Sequence, residues 1–107
     1  QKSTFEVVLP ESDVLVNATS IGMSPHVEGI PLNTSLLNNL PSHAAVYDIV
    51  YNPLETRLLK AARGKKLRAV DGLGMLIYTN VRAAQICVGA ELSAAVMRRE
   101  ALAALKD

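Results

Sequence analysis

Short apolar runs alternate along the chain with segments of helical periodicity. Residues 13–18, 44–51 and 67–70 are apolar at nearly consecutive positions and contain β-branched side chains. Runs of this kind are typical of strands in a sheet that is covered on both faces, whereas a half-exposed strand alternates apolar and polar residues. The pattern therefore predicts three buried strands.

Four segments outside these runs carry helix signals and are predicted to be helical: residues 34–40, 53–64, 73–88 and 90–106. The clearest start signal belongs to the second segment. There Asn52 can cap the helix, Pro53 occupies its first position and Glu55 can complete a capping box. Gly64 and Gly89 are expected to end the second and third helices.

The third of these helices repeats apolar side chains at helical spacing. Its predicted buried face consists of Leu73, Leu76, Ile77, Val81, Ala84 and Val88. Such a stripe normally packs against the protein core. Cys87 lies near this face and is expected to be an inert core thiol.

Strands that alternate with helices in one small domain lie parallel and are joined by right-handed crossovers. The expected fold is therefore α/β, a three-layer doubly wound parallel sheet. Ligands of such sheets bind at the carboxyl ends of the strands, which here are residues 17–23, 48–52 and 71–75. Asp48 and Asp71 in these segments could act as general acids or bases, but carboxylates at strand ends more often cap a helix or hold a loop.

The composition indicates one small domain and argues against several classes of function. The 107 residues include 11 Lys and Arg against 10 Asp and Glu, for a net charge of +1. This near-neutral balance gives no electrostatic footprint for nucleic acid or anionic lipid, and no apolar stretch approaches the roughly 18 residues of a membrane span. We therefore expect neither a nucleic-acid nor a membrane partner. One cysteine cannot form an internal disulfide, His26 and His43 are too isolated to indicate zinc, and we expect no metal. A single thiol fits a reducing, cytoplasmic location.

Three motifs carry a resemblance to a known family. Residues 17–23 (NATSIGM), 47–56 (YDIVYNPLET) and 71–76 (DGLGML) resemble, in order and spacing, the shikimate and quinate dehydrogenases. Members of that family have an amino-terminal domain that holds shikimate and a carboxy-terminal Rossmann domain that binds NADP or, in some members, NAD. The resemblance implies that residues 1–107 are the carboxy-terminal part of the Rossmann domain, with the catalytic shikimate-binding domain absent.

The same resemblance implies a set of binding residues but no catalytic residue in this chain. The family's Lys and Asp pair, which handles the proton, lies upstream of the matched motifs. The implied cofactor contacts are Asn17, Thr19, Ser20, Ile49, Gly72 and Met75. Tyr51 and Thr79 are placed toward the substrate. Thr79 departs from the family pattern, which usually has a longer Gln at this position.

The expected function is therefore that of a fragment of an NADP-dependent oxidoreductase of aromatic amino acid biosynthesis. The complete enzyme would interconvert 3-dehydroshikimate and shikimate, and the chain alone is predicted to be inactive. Two alternatives stay open: a quinate-type polyol dehydrogenase, which Thr79 favours, and a non-catalytic nucleotide-binding or assembly module. If the chain begins at Gln1, the strand at residues 13–18 has an unpaired edge, and we predict a homodimer across that edge.

Overall fold

The computed structural model describes residues 4–105. Four α-helices and three β-strands follow one another in the described chain, with 3-10 turns at Leu9–Glu11 and Thr34–Asn39. The elements, in chain order, are α1 (Thr4–Val8), β1 (Val14–Asn17), β2 (Ala45–Asp48), α2 (Arg57–Gly64), β3 (Arg68–Val70), α3 (Leu73–Val88) and α4 (Ala94–Leu105).

The three strands form one parallel sheet in the order β1-β2-β3. Each strand lies inside one of the predicted apolar runs, and the predicted α/β parallel-sheet fold is confirmed. The register sets Leu15 beside Val46 and Val46 beside Ala69. The β1–β2 connection contains the predicted short helix as a 3-10 turn, and α2 connects β2 to β3.

One face of the sheet is covered by the principal core. Val46 is fully buried there, with Leu15 and Ala69 packed beside it. Helix α2 places Leu58, Leu59 and Ala62 on this face. Ala62 lies four residues after Leu58 and three after Leu59, and residues at these spacings share one side of an amphipathic helix. The loop before β2 closes the layer with further leucines: Leu32, Leu37 and Leu40.

The opposite face of the sheet is apolar but open within residues 4–105. Val16, Tyr47 and Val70 are register partners on this face. Val16 is 52% exposed and Val70 is 37% exposed. The consecutive apolar runs predict that both faces are covered. Among the described residues the α2 face is covered, whereas Val16 and Val70 on the other face stay partly exposed.

Helix α2 begins four residues later than the sequence predicts. Its N-cap is Thr56, whose Oγ1 accepts a hydrogen bond from the Leu59 N–H at 3.2 Å and donates one to Asp48 at 2.7 Å. The predicted cap at Asn52 and the capping box with Glu55 are wrong, because this buried bond to β2 fixes the start of the helix. Glu55 instead pairs with Arg63 on the surface.

Helix α3 has the predicted bounds, and Gly89 ends it with a φ of 68° that favours glycine. Its buried face is shorter than predicted, since among its residues only Leu73 and Ile77 are buried. Val88 is 76% exposed, and Cys87 is exposed rather than a core thiol. The reason is that α3 contributes no residue to the principal core and packs against α4, none of whose described residues is buried.

Helix α4 starts at Ala94, and the Oγ of Ser93 accepts a hydrogen bond from the Val96 N–H at 3.2 Å. The predicted start at residue 90 is therefore early, because Gly89, which would precede it, is the left-handed C-cap of α3, whereas Ser93 supplies an oxygen that caps the first turn of α4. None of the residues described in α4 is buried. Across residues 4–105, no helix combines the length and apolar character that crossing a membrane requires.

Candidate functional site

The carboxyl end of the sheet carries two adjoining clefts. The larger, about 400 Å³, lies between the segment that follows β1 and the segment that follows β2. The smaller, about 170 Å³, lies between the segment that follows β2 and the first turns of α3. Ile49 and Tyr51 line both clefts, so the two form neighbouring compartments. This is the edge at which parallel α/β sheets bind ligands.

The two clefts bring together seven of the eight residues predicted to bind ligand: Thr19, Ser20, Ile49, Tyr51, Gly72, Met75 and Thr79. They come from three chain segments that are far apart in the sequence. Asn17, the eighth, lines neither of these two clefts and is only 4% exposed. Ser24 and Asn52 also line the larger cleft, and the sequence prediction missed them as site residues.

Asn17 lies beneath the wall of the larger cleft, where its amide group is fully hydrogen-bonded. Its Nδ2 donates to the Ile21 carbonyl at 3.2 Å and to Asp48 Oδ1 at 3.1 Å. Its Oδ1 accepts from the N–H of Thr19 at 3.1 Å and from the Thr19 hydroxyl at 2.6 Å. An Asn amide has two donor hydrogens and two acceptor lone pairs, so this set of partners uses all four.

Asp48 is completely buried and accepts hydrogen bonds from three directions. Besides Asn17, the Val50 N–H donates to its Oδ1 at 3.0 Å, and the Thr56 hydroxyl donates to its Oδ2 at 2.7 Å. A carboxylate held in this way ties together β1, the segment after β2 and the start of α2. These contacts support the structural interpretation of Asp48 over that of a general acid or base.

Asp71 also has a local structural role. Its Oδ1 accepts a hydrogen bond from the Leu73 N–H at 3.1 Å, at the first turn of α3. An acceptor at this position satisfies one of the main-chain donors that a helix start leaves without a partner. The structure thus assigns Asp71 to helix capping, the commoner role that the sequence analysis weighed.

Gly72 lies where β2 and α3 come closest. A Cβ at this position would lie 2.2 Å from the Ile49 carbonyl oxygen and 2.9 Å from that of Asp48. Only glycine allows the start of α3 to pack directly on the main chain after β2. Gly72 therefore lets α3 begin directly beside Ile49, and both residues line the smaller cleft.

The chemistry of the cleft walls suits a ligand that is part polar and part flat and apolar. Thr19 and Ser20 supply hydroxyl groups, whereas Ile49 and Met75 supply apolar surface. Tyr51 is 39% exposed. Small-molecule sites are usually apolar clefts with a few polar groups that fix orientation, and the walls of these two clefts have this composition.

Thr79 lines the smaller cleft but uses its hydroxyl within its own helix. The Oγ1 donates to the Leu76 carbonyl at 2.9 Å. A threonine that bonds back to the helix has no hydrogen left to donate to a ligand in this rotamer. Its methyl group and its oxygen lone pairs are what it offers to the cleft.

Residues 4–105 contain no group of three His, Cys, Asp or Glu side chains that could hold a metal ion. His43 instead bonds to Asp13 at 2.7 Å on the surface. The side chains that line the two clefts carry hydroxyl groups, one amide and apolar groups.

Comparison with known proteins confirms the resemblance inferred from the three motifs. No family model matches the chain. The chain is 41% identical over 90 residues to the NADP(+) shikimate dehydrogenase of Crocosphaera subtropica, covering 84% of this chain and 31% of that protein. It is 46% identical over 98 residues to the enzyme of the same name from Symbiobacterium thermophilum, covering 92% and 33%.

Solved structures agree in fold. A shikimate dehydrogenase in complex with NADP+ matches with a TM-score of 0.84 at 36% identity, over 94% of this chain and 34% of that one. Quinate dehydrogenase from Corynebacterium glutamicum in complex with NAD gives 0.79 at 37% identity, with the same coverage. The Thermus thermophilus enzyme with NADP(H) and shikimate gives 0.77 at 32%, over 91% and 35%. The chain thus spans about a third of the length of the curated relatives and structures it matches.

Proposed function

We propose that this chain is the part of an NADP-dependent shikimate dehydrogenase that contacts the nicotinamide half of the cofactor. One observation carries the proposal: two adjoining clefts at the carboxyl end of the sheet gather seven residues predicted from the motifs. The solved relative with NADP(H) and shikimate supports the pairing of cofactor and substrate. Because the chain spans about a third of its relatives, the activity is proposed for the complete protein.

Each wall residue has a role that its chemistry allows. NADP+ would supply the hydride acceptor, and the chain would orient it. We assign ribose contacts to the Ser20 hydroxyl and to the one lone pair that the Thr19 hydroxyl keeps beside its bonds to Asn17 and Ile21. We assign exclusion of water around the ring to Ile49 and Met75. The Tyr51 hydroxyl, which can donate and accept, would orient the substrate carboxylate.

The proton-handling Lys and Asp would come from the amino-terminal domain that the resemblance implies. The roles proposed for residues 4–105 therefore place the cofactor and one side of the substrate. Such placement can contribute several kcal/mol to catalysis, but only when the reacting partner is also held. We accordingly propose that the chain alone does not oxidise shikimate, with NADP+ reduction at 340 nm as the test.

A chimera tests the proposed function. In it, this chain replaces the matching third of the Symbiobacterium thermophilum enzyme, to which it is 46% identical. We expect NADP+-dependent oxidation of shikimate, since the replaced third would supply the same cofactor wall. A folded chimera that binds neither NADP+ nor shikimate would contradict the proposal. The matched control is the same chimera with Tyr51→Phe, expected to raise KM for shikimate and leave KM for NADP+ near its starting value.

A quinate-type polyol dehydrogenase is the second candidate, and Thr79 is the observation that favours it. Its hydroxyl bonds to the Leu76 carbonyl and it is shorter than the Gln usual in the shikimate enzymes. The NAD-bound quinate dehydrogenase matches with a TM-score of 0.79 at 37% identity, close to the 0.84 and 36% of the NADP+-bound shikimate dehydrogenase. Assaying the chimera with shikimate and quinate, each with NADP+ and NAD+, separates the two. Thr79→Gln should shift the preference toward shikimate if the side chain reaches the substrate.

The outer edge of β1 supports the proposed homodimer. The main-chain carbonyls of Asp13 and Asn17 accept hydrogen bonds from β2 and the residue after it, at 2.9 and 3.2 Å. Because these groups alternate in direction along a strand, the N–H and C=O of Val14 and Val16 point away from β2. Among the described residues β1 is an edge strand, and such an edge is a template for pairing with a second chain.

Light scattering at micromolar concentration tests the dimer. Val16→Pro removes an outward N–H and is expected to give a monomer, while leaving the bonds between β1 and β2 in place. Val16→Thr keeps that N–H and should remain dimeric. A monomeric unmodified chain would contradict this part of the proposal. We also propose a cytoplasmic location for the complete protein, which cell fractionation would test.

A further inference from the structure

We propose that Asn17 is a positioning residue that holds the Thr19–Ser20 wall of the larger cleft at a fixed distance from β2, without itself contacting the ligand. The relevance to cofactor binding rests on the proposed function. The placement of the wall itself does not, so the two can be tested separately.

The side-chain amide of Asn17 has no hydrogen-bonding capacity left for a ligand. Both of its amide hydrogens and both of its oxygen lone pairs are used by protein groups at 2.6 to 3.2 Å. The residue is 4% exposed. A ligand could bond to Asn17 only by displacing one of these partners, so a direct contact is disfavoured.

The hydrogen bonds of the Asn17 side chain connect the segment after β1 to the end of β2. On one side Asn17 holds Thr19 through two bonds and the Ile21 carbonyl through a third. On the other side it donates to Asp48, a residue 31 positions away at the end of β2. The Thr19 hydroxyl in turn accepts from the Ile21 N–H at 3.2 Å, which closes the turn. Among side chains, this buried amide attaches the wall after β1 to β2, and the main chain adds a bond between the two walls from the Ser24 N–H to the Asn52 carbonyl at 2.8 Å.

Asp48 links the two walls of the cleft. Its Oδ1 accepts from Asn17 and also from the Val50 N–H, and Val50 lines the opposite wall. The same carboxylate bonds through Oδ2 to Thr56, which belongs to the helix start rather than to the cleft. Asn17 and Thr56 thus bond to one buried carboxylate, but Asn17 alone of these two connects it to the wall after β1.

This arrangement supplies a matched pair of variants, Asn17→Ala and Thr56→Ala, in the full 107-residue chain. Each removes one hydrogen bond to Asp48 and should lower the urea midpoint. Backbone order parameters of Thr19 and Ile21, measured by ¹⁵N relaxation, separate the two. We expect Asn17→Ala to lower them from about 0.85 to below about 0.6, the range of flexible backbone, and Thr56→Ala to leave them unchanged.

A milder variant keeps the test decisive if Asn17→Ala does not fold. In Asn17→Ser the serine oxygen can accept the Thr19 N–H locally but cannot reach Asp48. We expect Thr19 to stay near its original order parameter and Ile21 to become flexible. Unchanged order parameters in every folded Asn17 variant, or equal changes in Thr56→Ala, would overturn the proposal.

NADP+ titration of the same samples by chemical-shift changes separates this proposal from the proposed function. If the original chain shows shifts at Thr19 and Ile49, we expect Asn17→Ala to weaken binding about tenfold, comparable to the loss of one hydrogen bond, and Thr56→Ala to weaken it less. Absence of shifts in the original chain counts against the cofactor assignment, whereas the order parameters still decide the role of Asn17.

Discussion

The two faces of the sheet differ in what they touch, although the strands are apolar on both. Val46 on one face is fully buried under α2, whereas Val16 on the other is 52% exposed and Val70 is 37% exposed. Val16 and Val70 lie on the two outer strands with the partly buried Tyr47 between them, and together they make an apolar patch of the kind that usually marks an interaction surface. Hydrophobic patterning therefore predicts these strands correctly even where the described residues cover only one side of them.

The largest expected effect is on the covered face. Leu59 is completely buried in the core, so Leu59→Ala removes apolar contacts and leaves a cavity. We expect a loss of about 4 kcal/mol in the free energy of unfolding, measured by urea denaturation. The control is Leu92→Ala, the same change at a side chain that is 43% exposed. A loss of less than about 1 kcal/mol at Leu59 would show that the covered face is loosely packed.

The next largest effect is expected at the junction of β2 and α3. Gly72→Ala would place a Cβ 2.2 Å from the Ile49 carbonyl oxygen, and the main chain must move to relieve the clash. We expect a loss of about 3 kcal/mol by urea denaturation, at the upper end of overpacking effects. Gly64→Ala is the control, because no atom lies within 4 Å of the position that its Cβ would occupy. That change should be neutral or stabilising by up to about 1 kcal/mol.

The same substitution, valine to threonine, can be made on each face of the sheet, at Val46 and at Val16. Val46→Thr buries a hydroxyl in the core beside Leu15 and Ala69, which offer it no side-chain hydrogen-bond partner. We expect it to cost about 1 to 3 kcal/mol by urea denaturation. The shape of the side chain is preserved, so the loss would measure the polarity of the environment. A neutral result would show that a polar partner or water reaches this face.

Much of the fold could be predicted from the sequence because its signals are local. The three strands lie inside apolar runs, and α3 has the predicted bounds because Gly89 favours a positive φ. The start of α2 could not be predicted, since it depends on the bond from Thr56 to a buried carboxylate. The exposure of Val88 depends on the packing of α3 against α4 instead of the principal core, which helical periodicity does not encode.

The candidate site, like the fold, could be predicted only in part from the sequence. The resemblance to the dehydrogenase family implied seven of the residues that line the two clefts. The strand-end rule predicted the edge of the sheet at which the three motifs meet, because parallel strands bring their carboxyl ends to one edge. The position of Asn17 beneath the wall could not be predicted. Its bond to Asp48 joins residues 31 positions apart, and the sequence around each of them does not show that the two side chains bond to each other.

The smallest effect is expected on the open face. Val16→Thr keeps the β-branched shape and places its hydroxyl at a position that is already half exposed. We expect the free energy of unfolding of the chain to change by less than about 0.5 kcal/mol, in contrast to the same change at Val46. A large loss at Val16 would mean that a second chain or another segment covers this face under the conditions of measurement. Repeating the denaturation at several protein concentrations would then identify a second chain, because stability gained by association rises with concentration.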